Sequence, residues 1–444
     1  MQQNNENNWL LRCKAFLQNF LHIYVQVLQK TLRSDFTQKI TITFFSQLVI
    51  IGIGLLSSII ISRTLGPASR GILALASTLT VLGVQLGNLG LHSSNTYLLA
   101  KDRSLLSAIA GNSLLAGLGV GIFIASILLA FFSFQPQWAP IEKPVLVLAL
   151  LGIPASLLYL LFQNILLGIQ NVKTYNILEI INKSLYLFLC LVFIFLNSAN
   201  VKTILTINLL ISTSCALYII IKTTKSFSVS TKLLKLSSAF GLKVFISCLL
   251  SFIVLKSDIL IMRYFLNFEQ IGFYATAKNI IEMMSLLPSV IGTLLFPKLS
   301  SLDNETLKLK YTHKVVIVSL FFVLFFSLAA SLLGKSLISV FFGKNFLPVY
   351  PVLLWLLPHF IICSINSVYQ NYFASIGMPP IALYSPLSAA GLSVLLNIFL
   401  IPRFGIIGAS ISSGLCNCLM LVLSLAFVQS GKRKITLGKH EPAQ

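Results

Sequence analysis

Seven ionisable side chains stand inside stretches that are otherwise apolar: Glu179, Lys183, Lys256, Asp258, Arg263, Lys278 and Glu282. A charge near the centre of a membrane-spanning helix costs roughly 2.5–3.5 kcal/mol unless it is paired or hydrated. Glu179/Lys183 and Lys278/Glu282 are each four residues apart, so each pair can neutralise itself on one helical face. Lys256 and Asp258 are two apart and point to different sides, which directs them to partners on other helices or to the end of their own. Glu282 lies about twelve residues into its apolar run, about 18 Å deep at 1.5 Å per residue, with Lys278 one turn nearer the edge. Neither reaches an interface easily, so a hydrated cleft is the economical explanation. Glu179 and Lys183 lie near one end of their run, where snorkelling to the interface competes with a cleft role. Arg63 and Arg70 flank a short connection, where capping or anchoring competes with ligand contact. Such a set of charges can bind and neutralise a polar ligand at membrane depth. Amides at Gln85, Asn88, Asn112, Gln163, Asn164, Asn182, Asn279, Asn366, Gln370, Asn371 and Asn397 could serve either hydrogen bonds between helices or the same cleft.

The elements that must position these residues follow from composition. Of 444 residues, 56% are hydrophobic and 10% charged, with mean hydropathy +0.90. Soluble domains carry roughly 25% charged residues, so a soluble enzyme is excluded. Recurrent apolar runs of about 20 residues define an all-α polytopic membrane protein. Twelve spans are expected, at about 40–62, 72–98, 105–133, 145–169, 177–196, 203–221, 241–263, 270–296, 314–333, 350–376, 381–401 and 406–428. Residues 1–39 form an N-terminal tail in which Trp9, Leu10, Cys13, Phe16, Leu17 and Phe20 recur at helical spacing, as in a helix lying on a membrane surface. A first six-helix bundle occupies 40–221 and a second 241–428, joined by a basic linker over 222–240, with a C-terminal tail at 429–444.

The net charge of +21 comes from 32 Lys and Arg against 11 Asp and Glu. The basic residues sit mostly in short connections. Twenty-one fall on the side that holds both termini and nine on the other, which makes the first side cytoplasmic in a multi-pass protein expected in the cell (inner) membrane. No basic strip interleaved with aromatics suggests nucleic acid. The seven cysteines include no CxxC pair and read as packing residues.

The halves are related. A shift of 201 residues aligns LGPASRGILALA (65–76) with LNFEQIGFYATA (266–277), with Leu65/Leu266, Gly71/Gly272, Ala74/Ala275 and Ala76/Ala277 identical. Each segment joins the first and second spans of its half. Six spans per half give both the same orientation, the parallel repeat that builds transporters around a central cleft. No Gly-rich phosphate loop with a following Lys-Ser/Thr occurs, no HExxH and no paired Cys/His spacing, so neither an enzyme nor a nucleotide-driven pump is expected, and no cofactor or metal.

Six pieces, SRTLGPASRG (62–71), LKSDILIMRYF (255–265), IGFYATAKNI (271–280), LLFPKLS (294–300), SVFFGKNFLPVYPVL (339–353) and LNIFLIPRFGIIGASIS (396–412), occur in an order and spacing that resemble the Wzx-type oligosaccharide flippases of the O-antigen and capsule pathways. These belong to the multidrug/oligosaccharidyl-lipid/polysaccharide exporter superfamily. The likeness runs from about residue 40 to 428 and leaves out the N-terminal segment. It implies two six-helix bundles around a partly cationic cavity, and alternating-access transfer of an undecaprenyl-diphosphate-linked oligosaccharide from the cytoplasmic to the outer leaflet. Lys256, Asp258 and Lys278 fall on the family's charged second-half positions and Arg63 on its first-turn basic position. Lys183 and Arg263 add to the positive cleft, which attracts a diphosphate. The resemblance also implies membrane lipids and other polysaccharide-assembly proteins as partners. Coupling to an H+ or Na+ gradient would use Glu282 or Asp258 as the titrating group. A cation-coupled multidrug exporter of the same superfamily, a glycan polymerase or ligase, and a scaffold of the export machinery are the alternatives.

Overall fold

A computed structural model describes residues 35–224, 226–300, 302 and 304–438. The expected surface helix at the N-terminus falls on residues 1–34, outside the described ones. Among the described residues the chain is helical with no strand. In order the helices are α1 (Asp35–Asn88), α2 (Leu91–Lys101), α3 (Leu106–Leu115), α4 (Gly121–Phe134), α5 (Lys143–Gly168), α6 (Val172–Phe195), α7 (Val201–Thr223), α8 (Thr231–Met262), α9 (Phe268–Ser300), α10 (Glu305–Phe341), α11 (Val349–Ser375) and α12 (Ile381–Gly438). A π-helical turn, Ala116–Val120, joins α3 to α4.

Nine helical stretches among the described residues are long and apolar enough to cross a membrane. Two of them, Ile42–Asn88 and Ile381–Ser430, have 47 and 50 residues. At 1.5 Å per residue these would extend about 70 Å, against about 30 Å of hydrocarbon. Both fold over instead. In α1, Gly66 adopts φ 79° and ψ 173°, and Pro67 follows without an N–H to continue the ladder. In α12, Gly405 adopts φ 59° three residues after Pro402. The second leg of α1 then ends at Asn88, ten residues before the expected end of that span. Leu89 and Gly90 both take positive φ (47° and 73°), and α2 starts afresh.

The ends of other elements follow from local capping. Ser230 accepts a hydrogen bond from Leu233 N and starts α8 at Thr231, so the irregular described residues of the connection between halves are 224 and 226–230. That stretch is fastened to α3. Ser228 N donates to Ser107 O at 3.2 Å, and Asn112 exchanges two 3.1 Å hydrogen bonds with the main chain of Ser230. At its other end α12 continues as helix to Gly438.

The exterior is apolar. Ile317, Phe321, Phe325, Leu328 and Leu332 are all exposed on α10 at spacings of three and four, a continuous stripe that water would disfavour and lipid chains would cover. The largest buried cluster joins the halves, from Leu75 and Leu79 on α1 through Tyr274 on α9 to Phe346 and Phe360.

Candidate functional site

The halves approach each other backbone to backbone where α9 begins, beside the α1 kink. An alanine Cβ at Gly71 would sit 1.9 Å from Phe268 O, and one at Gly272 would sit 1.9 Å from Pro67 O. Phe268 and Gly272 lie 201 residues after Pro67 and Gly71. The contact is therefore reciprocal: i meets j+201 and j meets i+201, the signature of a two-fold axis between like surfaces. The repeat seen in the sequence is thus realised as a backbone-to-backbone crossing on a pseudo-two-fold axis.

Just past this crossing, a cavity of about 260 Å³ opens between the halves. Its walls are helical stripes. Arg70, Leu73, Ala74, Ser77, Thr78 and Val81 come from α1, Ala275, Lys278, Asn279 and Glu282 from α9, and Lys256 and Ile259 from α8. On each helix they recur in the i, i+3, i+4, i+7 pattern, as one face of a helix requires. Ala74, Ser77, Thr78 and Val81 are the positions 201 residues before Ala275, Lys278, Asn279 and Glu282. The repeat has kept the shape of the wall and changed its chemistry, with charge on one side and small neutral residues on the other. Arg70 is the first half's charged contribution.

The ion pairs differ from those that spacing along one helix suggests. Lys278 does not pair with Glu282. Its ammonium bonds Asp258 Oδ2 across from α9 to α8, with both side chains buried, and Glu282 pairs with Lys256 at 2.7 Å, half exposed. Energetics explains the exchange. A helical i,i+4 pair contributes roughly 0.2–0.5 kcal/mol, whereas a buried carboxylate left alone costs several. Asp258 therefore takes the lysine that can reach it. Tyr274 OH adds a 2.5 Å hydrogen bond to the same oxygen, and Ile259 N binds Oδ1 at 2.8 Å.

From Tyr274 a buried polar network continues through α12 to α11. Tyr274 OH lies 3.4 Å from Ser413 Oγ, His359 Nδ1 lies 3.2 Å from Ser413 O and 3.1 Å from Asn417 Nδ2, and Asn366 donates to Asn417 O at 2.9 Å. Of this network the sequence reading singles out Asp258, Lys278 and Asn366. Tyr274, His359, Ser413 and Asn417 are missed, and their signal is faint: single polar residues within apolar runs, on helices distant in sequence.

The other expected site residues fall elsewhere. Glu179 accepts a hydrogen bond from Gln163 within the first half, with Tyr159 OH at 3.4 Å. Lys183 is exposed and forms no ion pair with Glu179 among the described residues. Arg63 donates to Val340 O of the second half at 3.2 Å. Arg263 donates to Pro140 O of the first half at 2.7 Å and stacks over Phe268 with 4.6 Å to the ring centroid. Beside it Tyr264 OH bonds Trp138 O at 3.1 Å while the two rings meet edge-on. Arg63 and Arg263 are thus not cavity walls. Each reaches from the connection after its half's first span to the main chain at the end of the other half's third, and together they form two latches around the axis. Arg70, by contrast, does line the cavity. Its Nη2 lies 3.3 Å from Ser58 Oγ, which Asn279 also contacts, and its Nε has no hydrogen-bond partner among the described residues. The clue in the sequence was its place on the Ala74–Ser77–Val81 stripe.

At the far end of the second leg of α1, about 28 Å away along the helix, the halves meet again. A Cβ at Gly90 would lie 2.0 Å from Gly241 O, and one at Gly241 would lie 2.6 Å from Leu89 O. The α1 residues that wall the cavity from Leu73 to Val81 lie between these two glycine crossings.

Two helical halves packed about an axis, with a charged cavity between them, are a fold that this chain shares with solved membrane transporters. A multidrug resistance MATE family transporter of the MOP superfamily, in an inward-facing conformation, is similar with TM-score 0.71 at 15% identity, covering 88% of this chain and 96% of that one. The lipid II flippase MurJ in an inward closed conformation is similar with TM-score 0.72 at 14% identity, covering 87% of each. Residues 36–303, more than half of the chain, match the polysaccharide biosynthesis protein family, and the chain belongs to that family. Among curated relatives, an uncharacterized membrane protein of Methanocaldococcus jannaschii is 27% identical over 203 residues, 45% of this chain and 40% of that protein. The probable low-salt glycan biosynthesis flippase Agl15 of Haloferax volcanii is 25% identical over 183 residues, 39% of this chain and 37% of that protein. The matches thus span less than half the length of these relatives.

Proposed function

We propose that the protein is a flippase that moves a lipid-linked oligosaccharide, undecaprenyl-diphosphate-linked, from the cytoplasmic to the outer leaflet by alternating access. The observation that carries this reading is the charge at the cavity on the axis between the two halves: Lys256 and Lys278 are each paired with an acid, and Arg70 adds a positive charge with no acid partner among the described residues. Such a wall attracts a diphosphate. A volume of about 260 Å³ accommodates a headgroup anion but not an oligosaccharide, so the halves must part at one end and then the other. The likeness to Agl15 and membership of the polysaccharide biosynthesis family support the cargo class. The folded stretches Ile42–Asn88 and Ile381–Ser430 each cross twice in this reading, and with α9 the crossings number twelve.

The basic residues orient it. Lys173, Lys222, Lys232, Lys235, Lys308 and Lys310 gather at the end remote from the latches, so that end and both termini are cytoplasmic and the latches face outside. If an H+ or Na+ gradient drives the cycle, Glu282 is the coupling group. Asp258 already accepts from Lys278, Tyr274 and its own helix, whereas the Glu282 carboxylate is half exposed in the cavity. Membrane lipids and other polysaccharide-assembly proteins are the partners that this role implies.

The decisive test uses proteoliposomes with a labelled undecaprenyl-diphosphate oligosaccharide, and an organic-cation dye in parallel vesicles. Protein-dependent movement of the sugar lipid with the dye immobile is expected. Dye transport with the sugar lipid immobile would instead identify a multidrug exporter, a reading favoured by the MATE-like fold but not by a cavity whose acids, Asp258 and Glu282, are both paired with lysines while Arg70 has no acid partner among the described residues. Within the flippase reading, Arg70→Gln is expected to slow flipping at least about tenfold with folded protein retained, since a hydrogen bond to a charged group contributes roughly 1.5–3 kcal/mol. Initial rates in proteoliposomes check this, and a wild-type rate would remove Arg70 from the binding wall. The latches should hold the outer end shut. Arg263→Ala with Tyr264→Phe removes two hydrogen bonds of about 1 kcal/mol each, which raises the open population by up to about thirtyfold. Labelling of a Thr78→Cys reporter by an impermeant maleimide from outside measures it.

A further inference from the structure

A second pocket, of about 510 Å³, lies at the latch end, apart from the central cavity. It is walled by Thr64, Ser69, Glu142, Asn200 and Lys202 of the first half, with Phe268 of the second, over a floor of Leu65 and Ile72. Its volume falls within the roughly 300–1,000 Å³ usual for small-molecule sites. Glu142, Lys202 and Ser69 form no ion pair or side-chain hydrogen bond among the described residues, so their polar groups are free to bind a ligand.

This hollow does not follow from the fold, because the second half fills the same place. The residue 201 positions after Ile72 is Phe273, buried and packed edge-on against Phe346 with centroids 6.2 Å apart, and Phe342 packs beside Phe346 at 5.9 Å. Where the second half carries three aromatic rings, the first half has Ile72 and Val145 beside a void.

The lining selects a ligand class. Glu142 disfavours an anion and Lys202 a cation, so the pocket suits a neutral molecule. Carboxylate, ammonium, amide and hydroxyl groups together offer donors and acceptors to a molecule rich in both. Phe268, Leu65 and Ile72 offer an apolar surface to the C–H face of a pyranose ring. We propose that this pocket is an outer saccharide site that takes one or two neutral pyranose units of the cargo as they leave the central cavity. This rests on the glycan reading of the function. The pocket is also placed to sense the gate: Phe268 lies under the Arg263 latch and at the Gly71 crossing, and Glu142 follows Pro140, the latch's acceptor, by two residues.

The test uses the full chain in nanodiscs with a Ser69→Cys reporter, labelled by an impermeant maleimide and corrected for the wild-type cysteines. The probes are di- and trisaccharides of glucose, galactose, mannose and N-acetylglucosamine, with sorbitol as control. At about ten times the dissociation constant, a binding saccharide should slow labelling about tenfold, and sorbitol should not. Ile72→Phe, which copies the filled second half, and the surface double variant Glu142→Gln/Lys202→Met should each abolish protection. Unslowed labelling with every saccharide, in a preparation that flips the sugar lipid, overturns the outer site and leaves the flippase reading intact. Protection that survives both variants also overturns it. Saccharide protection in a preparation that flips nothing supports the site while the flippase reading fails.

Discussion

Gly71→Ala is expected to slow flipping by roughly two orders of magnitude, because a single methyl group prises the halves apart at their crossing. The new Cβ would stand 1.9 Å from Phe268 O, 2.9 Å from Phe268 C and 3.0 Å from Gly272 N. All three are main-chain atoms, so no side chain can rotate away. Overpacking of this kind costs typically 1–3 kcal/mol, and if about 3 kcal/mol falls on the closed state alone, the closure equilibrium moves about a hundredfold. Gly272→Ala meets Pro67 O in the same way and should have the same effect. The double variant discriminates a gate from a generally damaged fold. Once one methyl has opened the crossing, the second finds the space already made, so the two effects should fall well short of additive. Flipping rates in proteoliposomes and outside labelling of Thr78→Cys would be measured together. Reduced flipping with increased labelling is expected. Wild-type values for both in Gly71→Ala would show that the crossing does not have to close.

The crossing was partly legible in the sequence, for a definite reason. Gly71 and Gly272 are identities in the 201-residue repeat, and a repeat about an axis brings equivalent residues together. The helical fold and the charged second-half residues were also visible, since apolar runs and costly intramembrane charges are local signals. Partner choice was not. Spacing along one helix offered Lys278 to Glu282 and Lys183 to Glu179, but the structure gives Lys278 to Asp258, Glu282 to Lys256 and Glu179 to Gln163. Those outcomes depend on which helices are neighbours, and burial decides among candidate partners by several kcal/mol where sequence spacing decides by tenths. Arg263 was expected in the cleft on charge, and Arg63 on its match to the family's first-turn basic position, with anchoring as its alternative. Their actual acceptors, Val340 O and Pro140 O, are main-chain carbonyls that any residue could supply, so no side-chain pattern could have announced them.

The Asp258–Lys278 pair carries the second large effect, and it corrects what spacing would suggest about neutralising variants. Were Lys278 paired with Glu282, changing both to glutamine would leave a neutral, folded cavity. Instead Lys278→Gln strands Asp258, which is 1% exposed among helices α8, α9 and α12 with Tyr274 as its remaining strong donor from another helix. Removing one member of a buried ion pair costs roughly 3–5 kcal/mol, whereas replacing both by neutral groups of like shape is often close to neutral. Lys278→Met alone should therefore lower thermal stability in detergent sharply and deplete folded protein. Lys278→Met with Asp258→Asn should recover most of both, since the amide can still accept from Tyr274. The rescued protein then separates scaffold from binding. Its flipping rate should stay below wild type if the Lys278 stem and charge shape the cavity wall, while Lys256→Gln/Glu282→Gln, a half-exposed pair, should leave stability nearly unchanged and reduce transport alone. A double variant no more stable than Lys278→Met would mean that the pair is not what holds these helices together. The order of effects follows from burial: in the same cavity, the enclosed pair acts through the fold and the open pair through the cargo.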